Sequence, residues 1–97
     1  MDRQELETRW KRTSKQLEAA WTLLSAEARS VGNLDGSRYA HYLERNELEL
    51  ALDELEWIGA GVPVPVEFWE HLKRAAQNME LSEHAERYGR VLSEYTD

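Results

Sequence analysis

Leu48-Glu49-Leu50-Ala51-Leu52-Asp53-Glu54-Leu55-Glu56-Trp57-Ile58 decides the fold class. Leu48, Ala51, Leu52, Leu55 and Ile58 recur at steps of three and four, so at helical pitch they share one face, as a core helix requires. A helix over about 47–58 follows. Upstream, Asn46 interrupts an otherwise helical run, and Asn46-Glu47-Leu48-Glu49 matches an N-cap followed by Glu at the third helical position. A break or sharp kink is therefore expected at Arg45-Asn46, with a short helix over about 37–44 before it. Asp35 or Ser37 could cap that helix.

Further upstream, Leu6, Trp10, Leu17, Ala20, Trp21, Leu24 and Ala28 fall within an arc of about 100°. No Pro or Gly interrupts them, so one long helix is expected over about 2–29, followed by a turn through Val31-Gly32-Asn33-Leu34-Asp35-Gly36-Ser37. Downstream, Gly59-Ala60-Gly61-Val62-Pro63-Val64-Pro65 reads as a loop, with Pro65 suited to the first position of the next helix. Phe68, Trp69, Leu72, Ala75, Ala76 and Met79 form one side of that helix. A last helix begins near Ser82, its seam formed by Leu81, Ala85, Tyr88, Leu92 and Tyr95. No segment alternates with period two over a useful length. The expectation is a single all-α domain over 1–97, a compact antiparallel bundle of four to five helices, the second broken or kinked near Asn46.

Composition bounds the rest. The 97 residues are 41% hydrophobic and 32% charged, a globular balance, and the absence of Cys excludes disulfides and thiolate zinc sites. Residues 1–5 carry no apolar run of the kind that opens a secretory leader, and no stretch approaches the ~20 apolar residues that span a bilayer, so a cytoplasmic protein is expected. The net charge of −7 is concentrated. Residues 31–70 hold two basic and nine acidic groups, whereas 1–30 hold six and five and 71–97 hold four and five. Such a surface repels nucleic acid and anionic membrane and favours a basic protein partner.

No catalytic constellation emerges. There is no Cys nucleophile, no Gly-x-Ser-x-Gly and no phosphate-binding glycine loop. His41, His71 and His84 each have a Glu three or four residues away (Glu44, Glu67 and Glu80), but none shows the Glu-x-x-His order of di-iron bundles, so solvated pairs are expected and neither metal nor cofactor. The basic group Arg9, Lys11, Arg12 and Lys15 lies among Glu5, Glu7 and Glu18, with no aromatic clearly interleaved, and reads as a solvated helix face. An enzyme is not expected.

The candidate binding residues lie on the side of the 47–58 helix away from its core stripe. Glu49, Asp53 and Glu56 form one row there, and Glu47 and Glu54 flank the other side. Between them stand Leu50 and Trp57, seven residues apart and nearly superimposed down the axis. The carboxylates are expected to be exposed. Leu50 and Trp57 fit either the centre of an interface with a charged rim or packing against another helix.

The segment from Tyr39 to Glu56, in particular Tyr42, Leu43, Asn46, Glu47, Leu50, Ala51, Leu52 and Leu55, resembles small helical bacterial immunity proteins of the MafI type. Glu67-Phe-Trp-Glu-His-Leu-Lys-Arg-Ala-Ala76 and Met79 resemble the helix that follows in similar proteins. The likeness covers Tyr39 to Met79, about half of the chain, and its distinctive part is the Asn46-Glu47 break. It implies neutralisation of a delivered toxin, often a nuclease, by direct binding. The other reading of the same residues is a small structural or adaptor module that self-associates through exposed aromatics; between the two readings the chain is a monomer or a homodimer.

Overall fold

A computed structural model describes residues 3–33 and 37–95, with side chains for all of these except 30–33, 37 and 38. Six helices occupy it: α1 (Arg3–Thr22), α2 (Ala26–Asn33), α3 (Ser37–Glu44), α4 (Leu48–Gly61), α5 (Val66–Asn78) and α6 (Ser82–Tyr95). No strand occurs among the described residues, and no helix there is long and apolar enough to cross a membrane. The Cα radius of gyration is 13.1 Å and the extents are 40 × 32 × 18 Å. The short dimension is about two helices thick. α1 and α6 both pack chiefly on α5, and α4 meets α3, α1, α2 and α5.

The single long first helix is two helices. Leu23 and Leu24 donate to Ala20 O and Trp21 O, each at 3.1 Å, which tightens the end of α1 into i to i−3 bonds. The Thr22 hydroxyl donates to Ala19 O at 2.8 Å. Ser25 then accepts from Ala28 N at 3.1 Å, a side-chain cap on the third residue of α2. Leu24 and Ala28 stay buried, but Leu24 from the turn between the two helices and Ala28 from α2, not from the single helix the stripe requires. This extra break takes the count to six rather than four or five. Residues 31–33, read as a turn, continue α2; Asp35, one of the two caps offered for α3, and its neighbours 34 and 36 lie outside the described residues, and Ser37, the other, is the first residue of α3.

Asn46 has a different role from the N-cap expected of it. Its φ is 60°, Glu47 N donates to Tyr42 O at 2.8 Å, and Asn46 N donates to Leu43 O at 3.1 Å. That bond pair is a Schellman closure of α3, with Asn46 in the left-handed position after its end. The N-cap of α4 is Glu47, which makes no side-chain capping bond. The same closure ends α5: Glu80 has φ 58°, Leu81 N donates to Ala76 O at 2.9 Å and Glu80 N to Gln77 O at 3.1 Å.

The loop expected from Gly59 is also corrected, because α4 runs through Gly61. Gly59 is buried where α4 crosses α5. A Cβ built there would run into the Phe68 ring and come within 3.1 Å of Trp69 Cζ2. Gly59 is therefore a close-approach residue rather than a helix stop. Pro65 is the extended N-cap of α5, at φ −63° and ψ 154°, and not its first helical residue.

The core contains Leu17 and Ala20 of α1, Leu24 and Ala28, Tyr39 of α3, the Leu48/Ala51/Leu52/Leu55/Ile58 face of α4, Phe68, Trp69, Leu72, Ala75 and Ala76 of α5, and Tyr88 of α6. At one end Arg29 lies 5.2 Å from the Trp21 ring centre, and Trp21 stacks on Tyr39 at 4.7 Å, joining α1, α2 and α3 in one pile.

Candidate functional site

The acidic strip of α4 divides into parts with different surroundings. Leu50 and Trp57 are exposed, at 45% and 58% of their surfaces, which answers the question that the sequence left open. Glu49 is exposed beside them, and Glu47 is half-buried with Arg45 Nε 3.8 Å from its carboxylate. Asp53 is exposed and its Oδ1 lies 2.8 Å from His84 Nε2 of α6.

Glu54 and Glu56 depart from the expectation that all five carboxylates face solvent. Glu54 is buried, with 8% exposure. Its position three residues after Ala51 and one before Leu55 brings it to the edge of the core face. Glu56 is half-buried and clamped. Arg87 donates to it twice, Nε to Oε2 at 2.8 Å and the terminal nitrogen to Oε1 at 2.7 Å, and the Tyr88 hydroxyl donates to Oε1 at 2.9 Å. This two-pronged, charge-assisted geometry fixes α6 against α4. Burial by itself would raise the Glu56 pKa, but the bonds from Arg87 and Tyr88, with the positive charges of Arg87 and His84, outweigh it and hold the carboxyl below its ordinary value. Tyr88, wholly buried and facing that carboxylate, has its hydroxyl pushed well above the usual value, first by burial and then by Glu56.

The anionic surface is thus reduced to Glu47, Glu49 and Asp53, and Glu56 serves as an internal anchor. Sequence spacing could not reveal this, because Arg87 and Tyr88 lie 31 and 32 residues away on a different helix. Asp53, Glu56 and His84 bring one ligand atom each within 4.8 Å of one another. The set has the donors of a cation site, but both Glu56 oxygens already accept from a guanidinium, which opposes a second positive charge there. Two of the three histidines also find other partners than their helical neighbours: His71 Nδ1 lies 2.8 Å from Gln16 Oε1 of α1, and His84 meets Asp53.

Two features of the surface were not legible. A shallow groove lined by Tyr42 of α3 and Leu50, Asp53, Glu54 and Trp57 of α4 runs along the exposed pair. On α1, Trp10 shares a second groove with Lys11, Lys15 and Asn46, so an aromatic does interleave with part of the basic group. Arg9 and Arg12 face a separate polar hollow with Glu5 and Glu80. Compared with models of known protein families, with curated proteins and with solved structures, the chain matches none.

Proposed function

We propose that this chain is a non-catalytic binding protein that docks a basic protein partner through the outward face of α4, and that its biological role is neutralisation of a cognate bacterial toxin by direct binding, such a toxin being a nuclease in the favoured case. The observation that carries the reading is the exposure of Leu50 and Trp57, two large apolar side chains seven residues apart on a helix whose opposite side is fully buried. Exposed Trp beside Leu, rimmed by charge, has the composition of an interface centre. Glu47, Glu49 and Asp53 supply a rim that would speed association with a cationic surface, and a nuclease presents one because it must hold phosphates. The likeness of Tyr39–Met79 to MafI-type immunity proteins points the same way.

The test is growth rescue. The chain is co-expressed with the C-terminal domain of each protein encoded beside its gene, growth arrest by that domain alone being the first readout (no arrest by any of them removes the toxin reading), and protection is scored for wild type, Leu50→Ala, Trp57→Ala and the double reversal Glu49→Lys with Asp53→Lys. Loss of protection by the apolar variants, and weaker, less salt-sensitive binding by the reversal, are expected. Full protection by all three variants would remove the α4 face as the docking surface.

Self-association is the second reading, favoured by the exposure of Trp10, Trp57 and Tyr95 on one small chain. It requires a dimer at micromolar concentration that Trp57→Ala abolishes. A monomer by light scattering at high concentration removes it.

A further inference from the structure

We infer that the notch beside Trp10 on α1 is a second docking site, separate from the α4 face and of opposite preference: it takes an acidic segment of a protein, an apolar side chain seated on the indole with carboxylates on Lys11 and Lys15. Trp10 stands three residues before Thr13 and seven before Leu17, on the stripe that sends Thr13, Leu17 and Ala20 into the core. Those three have no exposed surface, whereas Trp10 keeps 39% of its own. The stripe runs on past the core and ends in an indole that the described helices leave partly open. Trp10 and Ser14 form one row of α1, and Lys11 and Lys15 form the row beside it. Asn46 lines the same notch from the corner where α3 closes and α4 begins.

Charge selects the occupant. Lys11 and Lys15 are exposed, and among the described residues neither makes a hydrogen bond or an ion pair. The carboxylate that lines the notch, Glu7, has Arg3 Nε 3.3 Å from its Oε1. Two ammonium groups one helical turn apart therefore stand beside an apolar floor without an anion from their own chain. Their methylene stems can cover an apolar side chain while the heads reach carboxylates on either side of it. A nucleic acid would also find an indole and cations here, but it needs a cationic track along its backbone. Past Asn46 the surface turns the other way: Glu44 and Glu47 flank it in sequence, and Arg45 already lies 3.8 Å from the Glu47 carboxylate. A short acidic protein segment needs only the local pair of lysines.

The experiment uses the full chain, uniformly ¹⁵N-labelled, titrated with N-acetyl-Glu-Leu-Glu-amide, with its neutral isostere N-acetyl-Gln-Leu-Gln-amide, and with hexauridylate. The readouts are the Lys11 and Lys15 backbone amides and the Trp10 indole N–H, the last assigned by its absence in Trp10→Leu. A saturable shift of these signals with the acidic peptide is expected, at least fivefold weaker with the glutamine peptide. The double variant Lys11→Gln with Lys15→Gln should lose that preference while its melting temperature, set by side chains outside the core, stays at the wild-type value. Equal response to the two peptides, or no saturable response to either, overturns the site. A shift with hexauridylate at lower concentration than with the acidic peptide overturns it in favour of nucleic acid. Movement of the same signals on simple dilution of the unliganded protein overturns it in favour of a second copy of the chain.

Discussion

On the inner side of α4, Ala51, Leu52, Leu55 and Ile58 have no exposed surface, whereas on its outer side Leu50 and Trp57 keep about half of theirs. The two sides are drawn from the same fourteen residues and both carry large apolar side chains, yet only the inner one is packed into the core. Between them lies an edge where Glu56 is held by α6. Apolar side chains of this helix therefore stand in two separate environments, and substitution separates them.

The largest effect is expected from Leu52→Ala. Removing a fully buried leucine should cost about 2–5 kcal/mol, read as a lower denaturant midpoint. Gly59→Ala comes next. The added methyl meets the Phe68 ring in the core, and overpacking of that kind costs about 1–3 kcal/mol. Gly61→Ala, with nothing within 4 Å of the added group, should be neutral or slightly stabilising and serves as the control.

At the edge, Glu56→Gln replaces charge-assisted bonds with weaker ones. About 1–2 kcal/mol is expected, kept low because the Arg87 side chain is 40% exposed. A carboxyl whose folded-state pKa lies below its unfolded value of about 4.3 contributes stability above that value and loses it as pH falls through the lower folded one. Wild type should therefore weaken below about pH 4, and Glu56→Gln should flatten that acid limb in thermal melts. Tyr39 and Tyr88 act at the other extreme. Burial first, then Glu18 for Tyr39 and Glu56 for Tyr88, raises both hydroxyls, so their contribution is complete below about pH 10 and is lost as pH rises beyond it. The Tyr39 hydroxyl is buried with no hydrogen-bond partner among the described residues, so Tyr39→Phe should be neutral or stabilising by up to about 1 kcal/mol and should reduce the alkaline loss.

The smallest effect on stability belongs to Trp57→Ala, within about 0.5 kcal/mol for an exposed side chain. A large destabilisation by this change would erase the contrast between the two sides of α4.

The helical class was legible because period three-and-four stripes dominate the chain and none of its useful segments alternates. The inner face of α4 was legible for the same reason. Breaks without Pro or Gly were not: Ser25 looks like any polar residue in a helix until its hydroxyl is seen on Ala28 N. Gly59 misled in the opposite sense, since a glycine demanded by a neighbouring ring has the same letter as one that ends a helix. The candidate site was half legible. A helical wheel can place Leu50, Trp57 and the carboxylates on their sides, but only the position of α6 tells Glu56 from Glu49.

The four indoles occupy dissimilar surroundings: Trp69 is enclosed, Trp21 stacks on Tyr39 with the Arg29 guanidinium near its ring, Trp10 opens onto the lysines of α1, and Trp57 faces water. Collisional quenchers such as acrylamide should therefore reach Trp57 most readily and Trp69 least. Anything that settles on α4 would blue-shift and shield the first of these emitters without disturbing the other, so the protein contains its own optical reporter of occupancy, distinct from its reporter of unfolding.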